Sequence, residues 1–251
     1  MDEGALKSSA NQLSVGQTSR RLWLVRHGLT AWNAHQRFCG QSDISLSAHG
    51  QAQALWIAKQ LLKENISVIY TSDLLRARET AEIIASQRIP AVQIKQSAAW
   101  REMDFGKWEG LTYTQIKEQF KDQLEFFSDP EHHTPPDGEP LAHMQQRVMD
   151  ALSAIGYSDE SFITGGVAIV SHGGPLRILI CSVLGIPMRR QWQIKLDPGS
   201  LSAIDLLPGF GYSEPYAILS LLNVQTQMLE DHLAENQSTS SGLEIPGNNE
   251  D

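Results

Sequence analysis

The chain has 251 residues, 41% hydrophobic and 20% charged, enough for one large α/β domain with a sizeable core and too ordinary for a fibre or a wholly disordered chain. Its formal charge is -9, but Glu230, Asp231, Glu235, Glu244, Glu250 and Asp251 carry six of those charges with no Lys or Arg among them, leaving -3 for the body. A body so nearly balanced, without a Lys/Arg run or a basic stripe interleaved with aromatics, argues against nucleic acid or an anionic membrane as partner and leaves room for a small phosphorylated metabolite.

Residues 1–19 are rich in Ser, Gln, Asn and Gly and read as a disordered tail. The stretch "RLWLVRHGLTAWN", Arg21 to Asn33, then opens on Leu22 to Val25, apolar in both parities as a strand buried on both faces must be. Ser47 to Glu64 reads as a helix capped by Ser47, with Leu55, Ala58, Leu61 and Leu62 at helical spacing. A second buried strand at Val68 to Tyr70 precedes a helix from about Asp73 to Ser86, which ends before Pro90. Further helices are predicted at Leu111 to Phe127, Leu141 to Ile155 and Pro175 to Leu184, the last stopped by Gly185. Strands are predicted at Val167 to Val170, Leu201 to Leu206 and Tyr216 to Leu222, and the proline-rich "SDPEHHTPPDGEP", Ser128 to Pro140, reads as a loop.

Alternating strands and helices imply an open doubly wound, mostly parallel sheet with helices on both faces, interrupted by a small cap insertion at about 111–160. The expected organisation is a single domain over 20–230 followed by an acidic disordered tail from 231 to 251. Arg20 and Arg21 are followed by only four apolar residues before Arg26, too few for a signal sequence or a membrane span. Cys39 and Cys181 are far apart and in no metal-ligand spacing, so the reading is two free thiols in a reducing, cytoplasmic compartment.

In open α/β sheets ligands bind beyond the carboxyl ends of the strands, where Arg26-His27-Gly28 and Ser171-His172-Gly173 both fall. A neutral imidazole whose other nitrogen is held by an acceptor is a competent nucleophile, and arginine offers fixed charge and a fork for phosphate oxygens. Arg76, early in the helix after the second strand, brings another cation to that edge. Arg78 lies about 200° further round the helix, so the two cannot both face one pocket. Glu102, in "WREMDFGKWEGLT" beside Trp100, Phe105 and Trp108, is the candidate general acid; Asp104 and Glu109 read as bystanders.

These pieces, in order, resemble the histidine phosphatase superfamily, the phosphoglycerate mutase-like enzymes: "RHGLTAWN" at Arg26, "CGQSDISLSAHGQAQA" at Cys39, "SDLLRARETA" at Ser72, "REMDFGKWEG" at Arg101 and "SHGGPLR" at Ser171. The resemblance implies that His27 is the nucleophile that becomes a phosphohistidine, and that Arg26, Arg76 and His172 bind the phosphate. Asn33 and the backbone around Gly40 are implied as further substrate contacts, with Arg76 rather than Arg78 at the family position. Glu102 is implied as proton donor and then base. The family chemistry implies no metal and no cofactor, so His132 and His133 read as solvated loop residues.

The wording "FGKWEG" and the 70 positions between Glu102 and His172 resemble the phosphatase branch, of the alpha-ribazole phosphatase and broad-specificity bacterial types, rather than the cofactor-dependent mutases with their longer insertion. The expected activity is therefore a metal-independent phosphomonoesterase. A phosphoglycerate mutase is the alternative enzyme, and a noncatalytic phospholigand-binding module the alternative of another class. Selectivity is expected in the cap, where Trp108, Tyr113, Phe126 and Phe127 stack on a leaving group or, as the preferred reading, pack the helix.

Overall fold

The computed structural model describes residues 20–155, 165–207 and 216–225. The two expected tails lie outside them.

Six strands form one sheet: β1 (Arg20–Arg26), β2 (Ile66–Thr71), β3 (Gln93–Gln96), β4 (Gly166–Ser171), β5 (Leu201–Leu207) and β6 (Tyr216–Val224), in the order β3-β2-β4-β1-β5-β6. The first four run parallel; β5 pairs antiparallel with both β1 and β6, so five strands point one way and β5 the other. The α/β reading with a mostly parallel sheet holds. The antiparallel β5 follows from its hydrogen bonding to the flank of β1, a pairing that an apolar run cannot reveal.

The two apolar parities of β1 serve two cores. Leu22 and Leu24 pack with Val167, Ile169 and the helices α5 (Leu141–Ile155) and α6 (Gly173–Leu184). Trp23 and Val25 pack with Ala168, Val170 and the helices α2 (Ala48–Leu61) and α3 (Leu75–Ser86) on the opposite face. Helices on both faces leave the carboxyl ends of β1, β2 and β4 as one open edge.

Ser47 caps α2 as expected, its side chain accepting from the Gly50 N–H. The buried face differs: Ala54, Ile57, Ala58 and Leu61 are inside, whereas Leu55 and Leu62 are 43% and 49% exposed. Both sit about 100° off the centre of that stripe. The single helix expected over 111–127 is two pieces. A short α1 (Ala31–Ala34) follows β1, and α4 (Tyr113–Gln119), capped by Thr112 and Gln115, ends at Phe120; a 3-10 turn at Glu125–Phe127 follows. The break lets Trp108 stack on Phe127 at 5.1 Å and meet Phe126 edge-on at 5.8 Å, burying a cluster that a continuous helix would splay. Trp108 and Phe126 thus pack the cap, as preferred above, while Tyr113 is 51% exposed.

Candidate active site

β1 and β4 are parallel neighbours with Arg26 opposite Ser171, so the residues after them leave the sheet side by side. The His27 and His172 rings lie 5.0 Å apart between centroids and are 2% and 0% exposed. Arg76, in the first turn of α3, joins them from β2: its Nε donates to His27 Nε2 and His172 Nδ1, each at 3.2 Å. Its other nitrogens donate to Ser42 O at 2.8 Å, Gly40 O at 2.6 Å and Cys39 O at 3.4 Å. Arg78 is half-buried and makes no bond to this cluster.

The tautomers follow from the partners. His27 Nδ1 lies 2.8 Å from Gly28 O, which only accepts, so Nδ1 carries the proton and the Nε2 lone pair faces Arg76. In His172 the accepting atom is Nδ1, so Nε2 carries the proton; that atom is buried without a partner among the described residues, as is Arg26 Nε. Two buried donors without acceptors, next to an imidazole lone pair, are fitted to the oxygens of an arriving phosphate. Arg26 Nη1 is fixed on Leu196 O at 2.5 Å. Gly28 earns its place against α2 rather than a ligand, since a Cβ there would lie 2.3 Å from Gly50 O.

Burial, then the charges of Arg76 and Arg26, push His27 far below the usual imidazole range; His172 is pushed down by burial, Arg76, His27 and Arg26. Burial and the neighbouring Arg177 bring Arg26 down to about 10, so it stays charged at neutral pH. Both rings are therefore neutral when folded and bind a proton when unfolded below pH about 6.5, where stability falls as pH falls. The expected slope for each histidine rises from about half of its limit at pH 6.5 to that limit, about 1.4 kcal/mol per pH unit, towards pH 5. Urea unfolding over that range checks it: the wild type should lose stability more steeply than a His27→Asn/His172→Asn variant, and equal slopes would refute it. Exposed His132, raised by Asp129, works in the opposite sense and is common to both proteins.

Glu102 follows a 3-10 turn at Ala98–Trp100 and is 8% exposed. Its carboxylate accepts the N–H of Met103 at 2.9 Å and that of Gly174 at 3.2 and 3.1 Å, tying it to the first turn of α6 two residues beyond His172. Asn33 is oriented by a capping box: its Oδ1 accepts from the Thr30 hydroxyl at 2.9 Å, which turns the amide nitrogen away from that bond. A cavity of about 290 Å3 opens here, lined by Arg26, Asn33, Arg37, Phe38, Phe105, Glu102 and Arg177 among others. Gly40 does not line it. Its N–H is taken by Glu109 at 2.9 and 3.0 Å and its carbonyl by Arg76, and a Cβ there would lie 2.4 Å from Met103 O.

Three residues escaped the sequence reading. Glu109, passed over as a bystander, holds the loop before α2 through the Gly40 and Ser42 N–H groups. Arg147 of α5 pairs with Glu139 through two bonds of 2.7 and 2.8 Å and donates to the carbonyls of Ala99, Arg101 and Glu102, riveting the cap helix to the strip that carries Glu102. Arg177 sits in a quoted motif, four residues after Gly173 and so on the same face of α6, a spacing that could have flagged it. The backbone groups that Glu109 and Arg147 hold are tens of residues away and leave no local signal. His132 and His133 are exposed around Asp129, and among the described residues no group of three His, Cys, Asp or Glu could hold a metal. No described helix is long and apolar enough to cross a membrane.

The family model of the histidine phosphatase superfamily (branch 1) matches residues 22–213. Phosphoserine phosphatase 1 of Hydrogenobacter thermophilus is 30% identical over 187 residues, 74% of this chain and 86% of that protein. A probable phosphoglycerate mutase of Serratia proteamaculans is 35% identical over 188 residues, 74% of this chain and 84% of that one. The crystal structure of the alpha-ribazole phosphatase from Shigella flexneri superposes with a TM-score of 0.70 at 29% identity, covering 81% of this chain and 96% of that one.

Proposed function

Because the chain belongs to the histidine phosphatase superfamily, we propose that it hydrolyses small phosphomonoesters through a phosphohistidine on His27. The observation that carries this reading is the His27 Nε2 lone pair set beside two buried, unpartnered donors, Arg26 Nε and His172 Nε2.

In the proposed reaction the substrate phosphate settles between Arg26, Arg76, His172 and the Asn33 amide, which neutralise its charge and orient it. Arg76 Nε keeps its bond to His172 and releases the shared one to His27, freeing the lone pair for attack. The bond from phosphorus to the leaving oxygen breaks as the bond to Nε2 forms, and that oxygen takes the proton of Glu102. Glu102, now a carboxylate, then takes a proton from water; the water oxygen bonds to phosphorus, and the electrons of the P–N bond return to Nε2. Metal does not enter these steps. The residues would do this work in a cytoplasmic setting, as the free thiols Cys39 and Cys181 suggested.

Hydrolysis is favoured over phosphate shuttling because the cap is small: one short helix, two 3-10 turns, a loop and α5 stand between Glu102 and β4 among the described residues. The relatives' names span alpha-ribazole phosphate, phosphoserine and phosphoglycerate chemistry, so the test is a panel of all three with an aryl phosphate, following both phosphate release and isomerisation. Phosphate release should outrun isomerisation of the phosphoglycerate. Isomerisation in excess would make the protein a mutase, and binding of inorganic phosphate with no turnover of any ester would make it a noncatalytic module.

A further inference from the structure

The arginines of the cavity outnumber what one transferred phosphate needs. Arg26, Arg37 and Arg177 line it, with Arg76 buried behind them on the two histidines, and none of the four is in an ion pair among the described residues. Arg26 and Arg177 are packed against the same glycine: a Cβ on Gly173 would lie 3.0 Å from Arg177 Nη1 and 3.5 Å from Arg26 Nη1. Two guanidiniums so placed repel one another, and an anion between or beside them relieves the repulsion.

Arg177 also stands on a particular side of the site. After burial, the Glu102 carboxylate is the strongest influence on its charge, ahead of Asp197, which is itself engaged by Lys195 at 3.0 Å and by Asn223. The side of the proton donor is the side of the leaving group. Arg177 is held rigidly there, with Nε on Ile194 O at 2.8 Å and its guanidinium over the Trp192 ring at 5.5 Å, so its remaining nitrogens are presented without further ordering.

Next to it lies a separate recess of about 40 Å3 that shares Glu102, Phe105 and Arg177 with the main cavity and is closed by Met144, Trp192 and Gln191. Gln191 is 1% exposed and its Nε2 is buried with no partner among the described residues. A water-sized centre needs on the order of 10–15 Å3, so the recess has room for a group of a few heavy atoms and not for a base or a sugar. Gln191 and Arg177 both line this small space, and an amide donor beside a fixed guanidinium matches the two oxygens of one planar anion.

We propose that this recess is a carboxylate subsite, in which Arg177 and Gln191 hold a carboxylate carried by the leaving group of the substrate. The assignment rests on reading Glu102 as the proton donor. It favours a phosphorylated hydroxy acid or amino acid over a phosphorylated nucleoside. Arg37, exposed and fixed on Gly110 O at 2.6 Å, lines the outer part of the cavity.

The test uses two esters that differ only by the carboxylate, O-phosphoserine and O-phosphoethanolamine, with an aryl phosphate alongside. Wild type should prefer phosphoserine by more than about tenfold in kcat/KM, chiefly through KM. In Arg177→Met that ratio should fall at least about tenfold, in Gln191→Leu by about threefold or more, and Arg177→Lys should keep part of it. Partial unfolding scales both esters alike and cannot move the ratio. A wild type indifferent to the carboxylate, or a ratio unchanged in both Arg177→Met and Gln191→Leu, overturns the subsite while turnover leaves the phosphatase reading intact. No turnover of these three esters or of the alpha-ribazole phosphate and phosphoglycerate of the panel above overturns both.

Discussion

Replacing His27 with alanine should lower kcat/KM for every phosphomonoester by a factor on the order of 10^4 or more. The expectation follows from the attacking atom being a single lone pair: in the proposed reaction the other imidazole lone pair of the cluster, on His172 Nδ1, stays bonded to Arg76 Nε while that of His27 Nε2 is released. Rapid quench of the wild type with labelled ester should trap an acid-labile, base-stable phosphoenzyme, and the variant should trap none. Turnover retained in His27→Ala would remove the nucleophile assignment altogether. The fold should survive, since the ring's one bond outside the cluster is to the adjacent Gly28 carbonyl.

The second large effect is at Arg76, where activity and stability should part. Arg76→Met removes the donor to three carbonyls and two rings, and with it the buried charge opposite the phosphate; kcat/KM should drop by about 10^3 or more. Yet a cation 0% exposed with no carboxylate partner among the described residues is costly to bury, and methionine relieves that cost while losing the bonds. The two oppose, so stability should change by less than about 2 kcal/mol. Losing that charge should also move His27 and His172 back towards the ordinary imidazole range, because Arg76 is the largest charge acting on each. NMR titration of the two rings checks this, and rings that titrate no higher in Arg76→Met would show that burial alone holds them neutral. A loss of activity matched by wholesale unfolding would mean that Arg76 is a structural post and not a phosphate ligand.

What the sequence made legible is governed by distance along the chain. The two strand-end triplets could be read because apolar runs ending in Arg26-His27 and Ser171-His172 are local patterns, and the sheet's geometry then brings them together. The start of α5 was legible to the residue because its apolar face repeats at helical spacing and begins right after Pro140. β3 was not: Gln93–Gln96 is a polar, largely exposed edge strand with only Ile94 packed inwards. Glu109 and Arg147 were missed for a related reason. Each holds backbone groups that the chain brings near only after folding, and a carboxylate or a guanidinium looks the same in sequence whether it faces water or closes a site.

The rivet between Arg147, Glu139 and the carbonyls around Glu102 bears on how such proteins diversify. Besides the Gly174 N–H, the hydrogen bonds that aim the acid lie at the two borders of the cap, at residues 99–104 and 139–147, and none of them involves the stretch from Phe120 to His133. So long as the packing of Phe126 and Phe127 on Trp108 is kept, that inner stretch can be rewritten by mutation or recombination while the acid stays aimed, so lineages can change the company a phosphate keeps without reinventing how it is removed.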